Sequence, residues 1–345
     1  MNSQSFVILS SNNDNCHSHF LAYYVNSAAQ GHIAANIVGA VQQHFNVGSA
    51  KQLKLKLPPL PEQRAIARIL GALDDKIELN RRMNHTLEAM AQALFKSWFV
   101  DFDPVIAKSE GRASFGMSAE TAALFPAEFV DSELGAIPKG WEVSALGKVL
   151  NITKGRSYLS SELSDSDTAL ATLKSFKRGG GYRSDGLKPF TGKYKPEQVL
   201  KPGELVIACT DITQNADVVG RPAIIPHQSQ FKTLVASLDL WILRPNEPDL
   251  SVSFIYNLLR TDDYVNYIIG YASGTTVLHL NKDGIPNYQF VKPPIPVLRA
   301  FNKFATPISE RLISLEIESR TLASIRDALL PRLLSGEVRV KGNEE

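Results

Sequence analysis

The chain has 345 residues, with 37 Lys and Arg against 35 Asp and Glu, a formal charge of +2 and 44% hydrophobic residues. That composition allows a sizeable core, and the length fits roughly two domains, while ordinary Gly and Pro counts exclude collagen-like and wholly disordered classes. No apolar run reaches the ~18 residues of a membrane span, the start lacks a secretory signal's basic region, and the two distant cysteines, Cys16 and Cys209, exclude a disulfide framework; a cytoplasmic protein is the default expectation.

Part of the chain occurs twice. Leu57-Pro58-Pro59-Leu60-Pro61 returns as Lys292-Pro293-Pro294-Ile295-Pro296 at an offset of 235 residues. The same offset pairs Arg64 with Arg299, Leu73 with Ile308, Thr86-Leu87 with Thr321-Leu322, and His44 with His279. One residue of slippage extends the match to Phe20-Leu21 with Phe254-Ile255. Residues 6–99 therefore repeat as 240–334, too long a period for a solenoid and suited to a duplicated domain-plus-helix module. The second copy is preceded by a long segment that the first lacks, so the chain reads as a two-module protein missing the front of module one.

In chain order, residues 1–57 are the end of a first domain. Residues 58–100 form a helical arm, because Pro58, Pro59 and Pro61 set a clean start. Ile66, Leu73, Asn80, Leu87 and Leu94 recur every seven residues, with Leu70, Ile77, Asn84 and Ala91 as a second stripe. Residues 101–138 hold no sustained period and read as a linker with one short helix near 119–124. Residues 139–292 mix short strands, among them 205–208 and 238–243, with a helix over 258–269, which makes the chain α+β. Residues 293–345 repeat the arm, with Phe301, Ile308, Leu315, Leu322 and Leu329 on one stripe and Ala305, Leu312, Ser319 and Arg326 on a weaker one. Heptads held for about four repeats fit a coiled coil, and two matched arms favour antiparallel pairing with each other; an ordinary amphipathic helix fits the same pattern. The expected interface is Leu73, Ile77, Asn80, Leu87 and Leu94 against Ile308, Leu312, Leu315, Leu322 and Leu329.

The charge is local. Lys174, Lys177, Arg178, Arg183, Lys188, Lys193, Lys195 and Lys201 face only Asp185 and Glu197, a local +6 over 28 residues. Phe176, Tyr182, Phe190 and Tyr194 are interleaved, and Gly179-Gly180-Gly181 permits close backbone approach. Such a mixture suits a nucleic-acid face, where cations neutralise phosphates and polar tips read base edges; a solvated basic loop has the same composition. Lys174, Lys177, Arg178 and Arg183 are expected at phosphates. Lys154 belongs to a glycine-flanked loop beside them, and Arg156, Tyr182, Gln214, Thr275 and Thr276 are the candidates for base or groove contacts. No HExxH, GxSxG or GxGxxG occurs, and Gly186–Lys193 fails the phosphate-loop pattern. His17 and His19 offer at most a minor metal possibility.

Leu57–Arg64, with Leu87-Glu88-Ala89-Met90-Ala91-Gln92-Ala93-Leu94-Phe95-Lys96-Ser97-Trp98-Phe99-Val100-Asp101-Phe102-Asp103-Pro104, resembles the central conserved region of specificity (S) subunits of type I restriction–modification enzymes. Ser132–Val143 is similar to the opening of their second target recognition domain, and Leu329–Val340 to their C-terminal conserved region. The resemblance implies two recognition domains, each reading half of a split DNA site, and two conserved helices pairing antiparallel as a ruler for the spacer. It implies no catalysis in this subunit, no metal and no cofactor of its own. Methylation (M) subunits, which bind S-adenosylmethionine, and a restriction (R) subunit, which uses ATP and Mg, are the implied protein partners of a complex on double-stranded DNA. Roughly 100 residues of the first recognition domain would be missing before Val7, judged by the second copy, leaving 139–292 as the recognition domain. The absent half would then come from a second specificity chain, or the chain would be a coiled-coil assembly subunit that no longer reads a bipartite site.

Overall fold

The computed structural model describes residues 7–11, 14–37, 44–213, 215–228 and 230–340. They form two compact units, one of residues 1–83 with 318–345 and one of residues 84–317. The fold is α+β, as the sequence indicates.

The first unit contains α1 (Ser18–Asn26), α2 (Gln30–Ala35) and α3 (Val47–Lys51), followed by the start of α4 (Leu60–Phe99). Pro59 accepts from the backbone N–H of Glu62 and Gln63 at 2.9 and 3.0 Å and so opens α4. The buried Gln63 amide donates to Pro58 O at 2.8 Å and Asn15 O at 3.0 Å and accepts from His17 N at 2.9 Å. A side chain that meets three backbone groups this way ties the incoming chain to the helix start. Phe20, Tyr24, Ile66 and Leu70 form a core with Leu333 and Leu334, near the end of the long helix Ile295–Ser335. Deeper along the pair, Arg326 donates to Asp74 at 2.7 Å and Asn80 donates to Glu318 at 3.0 Å. Partner numbers fall as α4 numbers rise, so the two helices run antiparallel within this unit. Asn80 is fully buried, and its Oδ1 accepts no hydrogen bond among the described residues.

The second unit takes the rest of α4 and adds α5 (Asp103–Ser109), α6 (Ala119–Ala123), α7 (Leu146–Val149), α8 (Val252–Leu258), α9 (Asp262–Ile269) and the first part of α10 (Ile295–Ser335). Helix α10 opens as α4 does, with Pro294 accepting from Val297 and Leu298; the two helices start at repeat-equivalent positions. Phe95, Trp98 and Phe99 stack on Phe301 with ring centroids 5.8, 6.2 and 5.1 Å apart. The end of α4 thus lies on the start of α10, again antiparallel. Ile66 and Phe301, and Leu70 and Ala305, are buried counterparts in the two units.

Residues 101–138, expected as a linker, carry α5, α6 and a hairpin of Phe129–Ser132 with Gly135–Pro138. They bury Val105 and Phe125 against Trp98 and Trp141. Helix α6 lies where a short helix was expected near 119–124, while scattered apolar residues without a period hid α5 and the hairpin. The helix expected over 258–269 is broken. Thr261 caps α9 by accepting from Tyr264 N, and two acidic residues, Asp262 and Asp263, occupy its first turn.

Two four-stranded sheets make the body of the second unit. In one, Leu205–Ala208 lies between Pro222–Ile224 and Leu240–Pro245, which in turn pairs with Leu150–Lys154. In the other, Thr233–Ala236 runs parallel to Thr168–Ala171 and antiparallel to Val199–Leu200. Val206, Ala208, Leu240 and Ile242 face Ala169, Ala171, Leu234 and Ala236 of the second sheet. Leu205, Ile207, Trp241 and Leu243 face the helices instead. Burial on both faces explains why these strands read as continuous apolar runs rather than alternating ones.

Candidate nucleic-acid interface

One end of these sheets gathers several turns through backbone pairing. Strand Leu278–Leu280 pairs with Ala272–Ser273 and with Thr210–Asp211. The hairpin tip between 273 and 278 exposes Thr275 and Thr276. Thr210 Oγ1 donates to Asp239 Oδ1 at 2.9 Å, and Leu238 N donates to Arg156 O at 2.8 Å. The 155–157, 237–239, 210–213 and 272–280 segments therefore share one edge. Ile212 is 73% exposed there and Leu238 also projects outward.

The basic turn joins the same edge. Gly179 N donates to Asp217 O at 2.8 Å, and Gly181 N to Pro222 O at 2.9 Å. All three residues of Gly179-Gly180-Gly181 have positive φ, from 79° to 105°, which L side chains rarely adopt. The glycine run is therefore what brings Lys177 and Arg178 to the edge. Lys174 and Lys177 are exposed. The Arg178 side chain is 82% exposed, with Nε 3.9 Å from Asp217 Oδ2.

Other expected contacts are engaged differently. Lys154 Nζ lies 5.3 Å from the centroid of the Trp241 ring. Arg156 donates to Lys193 O at 2.6 Å, to Ser157 O, and to Glu162 Oε1 at 3.3 Å. It clamps the 156–162 and 190s segments together, so its guanidinium is already engaged within the chain. Arg183 forms a two-point pair with Asp185 at 2.8 and 2.5 Å. Tyr182 is only 8% exposed and packs in the inter-sheet core with Phe176 and Ala208, so the groove contact expected of it is corrected. Phe190 is buried as well and Tyr194 is exposed. The interleaved aromatics of the basic segment are mostly core residues of a short-stranded sheet, which their spacing could not reveal. Gln214 lies outside the described residues.

Of the arm residues, Asn80 and Leu315 are fully buried, while Leu73, Ile77, Leu87, Leu94, Ile308, Leu312, Leu322 and Leu329 are half-buried. Leu94 packs on the core of the second unit and Leu329 on that of the first. In the first unit an open cleft of about 710 Å³ is lined by His17, His19, Tyr23, Arg64, Arg68 and Asp74, among others. The His17 and His19 rings meet edge-on at 5.6 Å, and no group of three or more His, Cys, Asp or Glu suited to a metal occurs among the described residues. No helix of the described residues is long and apolar enough to cross a membrane.

Residues 1–89 match the type I restriction modification DNA specificity domain. The type I restriction enzyme HindI specificity subunit of Haemophilus influenzae is 30% identical over 334 residues, which cover 84% of this chain and 70% of that protein. The chain belongs to the type I restriction enzyme specificity subunits. The MjaIX specificity subunit of Methanocaldococcus jannaschii is 30% identical over 316 residues, with 88% of this chain and 65% of that protein covered. The crystal structure of a type I restriction–modification S subunit from M. genitalium has the same fold, with a TM-score of 0.54 at 16% identity, covering 92% of this chain and 73% of that one. The family read from the conserved regions is thus borne out.

For this specificity subunit, sequence reasoning passed over the acidic residues that shape the edge. Asp211, Asp217 and Asp239 each bind backbone or side-chain partners there. The Asp211-Ile212-Thr213 order after an apolar strand is an Asx-turn signature and was the available signal.

Proposed function

We propose that this specificity subunit binds duplex DNA through residues 141–292, reads one half of a split site, and holds methylation and restriction subunits in place without chemistry of its own. S-adenosylmethionine, ATP and Mg then belong to those partners. The observation that carries this reading is the single edge on which exposed Lys177 and Arg178, the Thr275-Thr276 tip and the Thr210–Thr213 turn come together. Cations at such an edge meet phosphates and polar tips meet bases. Lys154, Lys174 and, after exchanging its Asp185 partner, Arg183 extend the phosphate contacts. The paired arms form the coiled-coil scaffold on which the methylation subunits dock.

Duplex binding by the full chain, titrated against salt, tests this. Log affinity falls linearly with log salt at about 0.9 per neutralised phosphate. Lys177→Ala with Arg178→Ala weakens all duplexes alike and lowers that slope by about 1–2. A flat salt response, or no binding at low salt, refutes the DNA-reading role. The chain spans 65–70% of the lengths of these two relatives. The second reading, carried by the antiparallel pairing of α4 with α10, is an assembly subunit that captures a methylation subunit without reading a bipartite site. Co-purification with that subunit and no DNA shift from the mixture would select it. A second specificity chain supplying the other half-site is the arrangement that favours the first reading.

A further inference from the structure

The edge just described is organised by one carboxylate. Asp211 ends strand Thr210–Asp211 and is 1% exposed. Its Oδ1 accepts from Thr213 N at 2.7 Å, and its Oδ2 accepts from Val218 N and Val219 N at 2.6 and 2.9 Å. The two ends of the outward turn that begins at Ile212 are therefore fastened to a single side chain. The turn is also braced internally, with Asp217 N donating to Thr213 Oγ1 at 3.0 Å. Within it, Ala216 sits at φ 54°, a left-handed conformation unusual for a residue with a Cβ. Backbone held in such a region persists only where its surroundings over-determine it, and here the carboxylate and its three N–H donors do so.

The fastening extends to both neighbours. Asp217 O receives Gly179 N, and the Asp217 carboxylate faces Arg178. On the other side, Asp211 is the register partner of Leu278 in the strand that leaves the Thr275-Thr276 tip. Burial alone raises the Asp211 carboxyl, but the N–H groups of Thr213, Val218 and Val219 outweigh it and hold the group below its ordinary value of 3.8. A lowered folded value means that the fastening is complete above the ordinary value and is lost as pH falls through the lowered one. At neutral pH the carboxylate is charged, yet its charge is consumed by donors inside the fold and is not presented to a phosphate.

We infer that Asp211 is the positioning residue of the DNA-reading edge: it fixes Thr213 on one side and the Asp217–Val219 segment on the other, and with them the Lys177–Gly181 turn, in the one arrangement that discriminates between base sequences. This inference rests on the DNA-reading role proposed above. It separates two duties on the same edge. Lys177 and Arg178 supply attraction to any duplex, whereas Asp211 touches no DNA and determines which duplex is preferred. Base readout demands placement of donors within hydrogen-bond geometry, whereas attraction to phosphates tolerates displacement.

The test uses the full chain and a pool of random-sequence duplexes, with sequencing of the bound fraction and competition between the selected duplex and a scrambled one. Asp211→Asn keeps the shape of the side chain but turns an amide donor toward backbone donors. It is expected to cut the preference for the selected duplex about ten-fold, one good base contact's worth, and to leave the salt slope on scrambled duplex unchanged. Lys177→Ala with Arg178→Ala is expected to do the reverse, lowering the slope and keeping the preference. Thr213→Val removes the internal brace and the hydroxyl's own bond to the Asp211 carboxylate while keeping the Thr213 N–H, and is expected to reduce preference in the same direction by a smaller factor; it carries the test if Asp211→Asn does not fold. An unchanged preference in Asp211→Asn, or in Thr213→Val where it stands alone, overturns the inference while leaving DNA reading intact. Absence of any selected sequence for the unaltered chain overturns both.

Discussion

A Cβ on Gly155 would lie 1.9 Å from Ser237 O, because Gly155 N bonds Leu240 O and Arg156 N bonds Ala236 O on either side of the turn that joins strands Thr233–Ala236 and Leu240–Pro245. No rotamer relieves a backbone overlap of that size. Gly155→Ala is expected to cost about 2–4 kcal/mol, seen as a lower denaturant midpoint of the full chain; an unchanged midpoint would mean the two backbones are not in contact. At this scale the sequence was legible where charge alone decided placement. Lys174, Lys177 and Arg178 are exposed as their composition suggests. It was illegible where one residue type serves two ends. Tyr182 looked like a stacking ring and is a core ring, and Arg156 looked like a base reader and is a clamp. Which of these a residue becomes depends on strands distant in sequence, 206–208 for Tyr182 and the 190s segment for Arg156.

Among the elements, the long helices were the most legible part of the chain. The proline cluster marked both starts, and the heptad stripes located the buried faces, since Asn80, Leu315 and Phe301 all fall on them. Of the short elements of residues 101–138, α6 was legible near 119–124, whereas α5 and the 129–138 hairpin were not, because helices and strands of four to seven residues show no sustained period. Asn80 tests what a polar stripe residue does. It is wholly buried, with one half of its amide bonded to Glu318 and the other half unmatched. A polar group at such a position lowers stability and fixes register. Asn80→Leu is expected to raise the stability of the first unit by about 1 kcal/mol, read as a higher denaturant midpoint, with a broader set of helix alignments visible as new interhelical cross-links. Destabilisation would show that the Glu318 bond outweighs the unmatched oxygen. Glu318 keeps a second partner, Lys76 Nζ at 3.4 Å, so the substitution does not strand a charge.

For the molecule as a whole, the formal charge of +2 conceals the arrangement that matters. The +6 of residues 174–201 is divided by folding between the sheet edge, where Lys177 and Arg178 stand, and internal pairs such as Arg183 with Asp185. Duplication is the other feature of that scale. Matched helices α4 and α10 each contribute to both units, so the first unit is built from two separate stretches of chain, whereas the second is the continuous stretch 84–317. Of the three tryptophans, Trp98 and Trp141 belong to the aromatic cluster around Phe301, whereas Trp241 has a lysine ammonium above its ring. Indole emission responds to a nearby charge, and a DNA phosphate competing for Lys154 would shift that charge. Duplex addition is thus expected to alter the emission of the unlabelled protein, and Lys154→Ala to abolish the change. A silent signal with binding verified independently would place Lys154 away from the nucleic acid. The Trp241 indole under the Lys154 ammonium is an intrinsic optical probe of that lysine, and no dye need be attached to follow it.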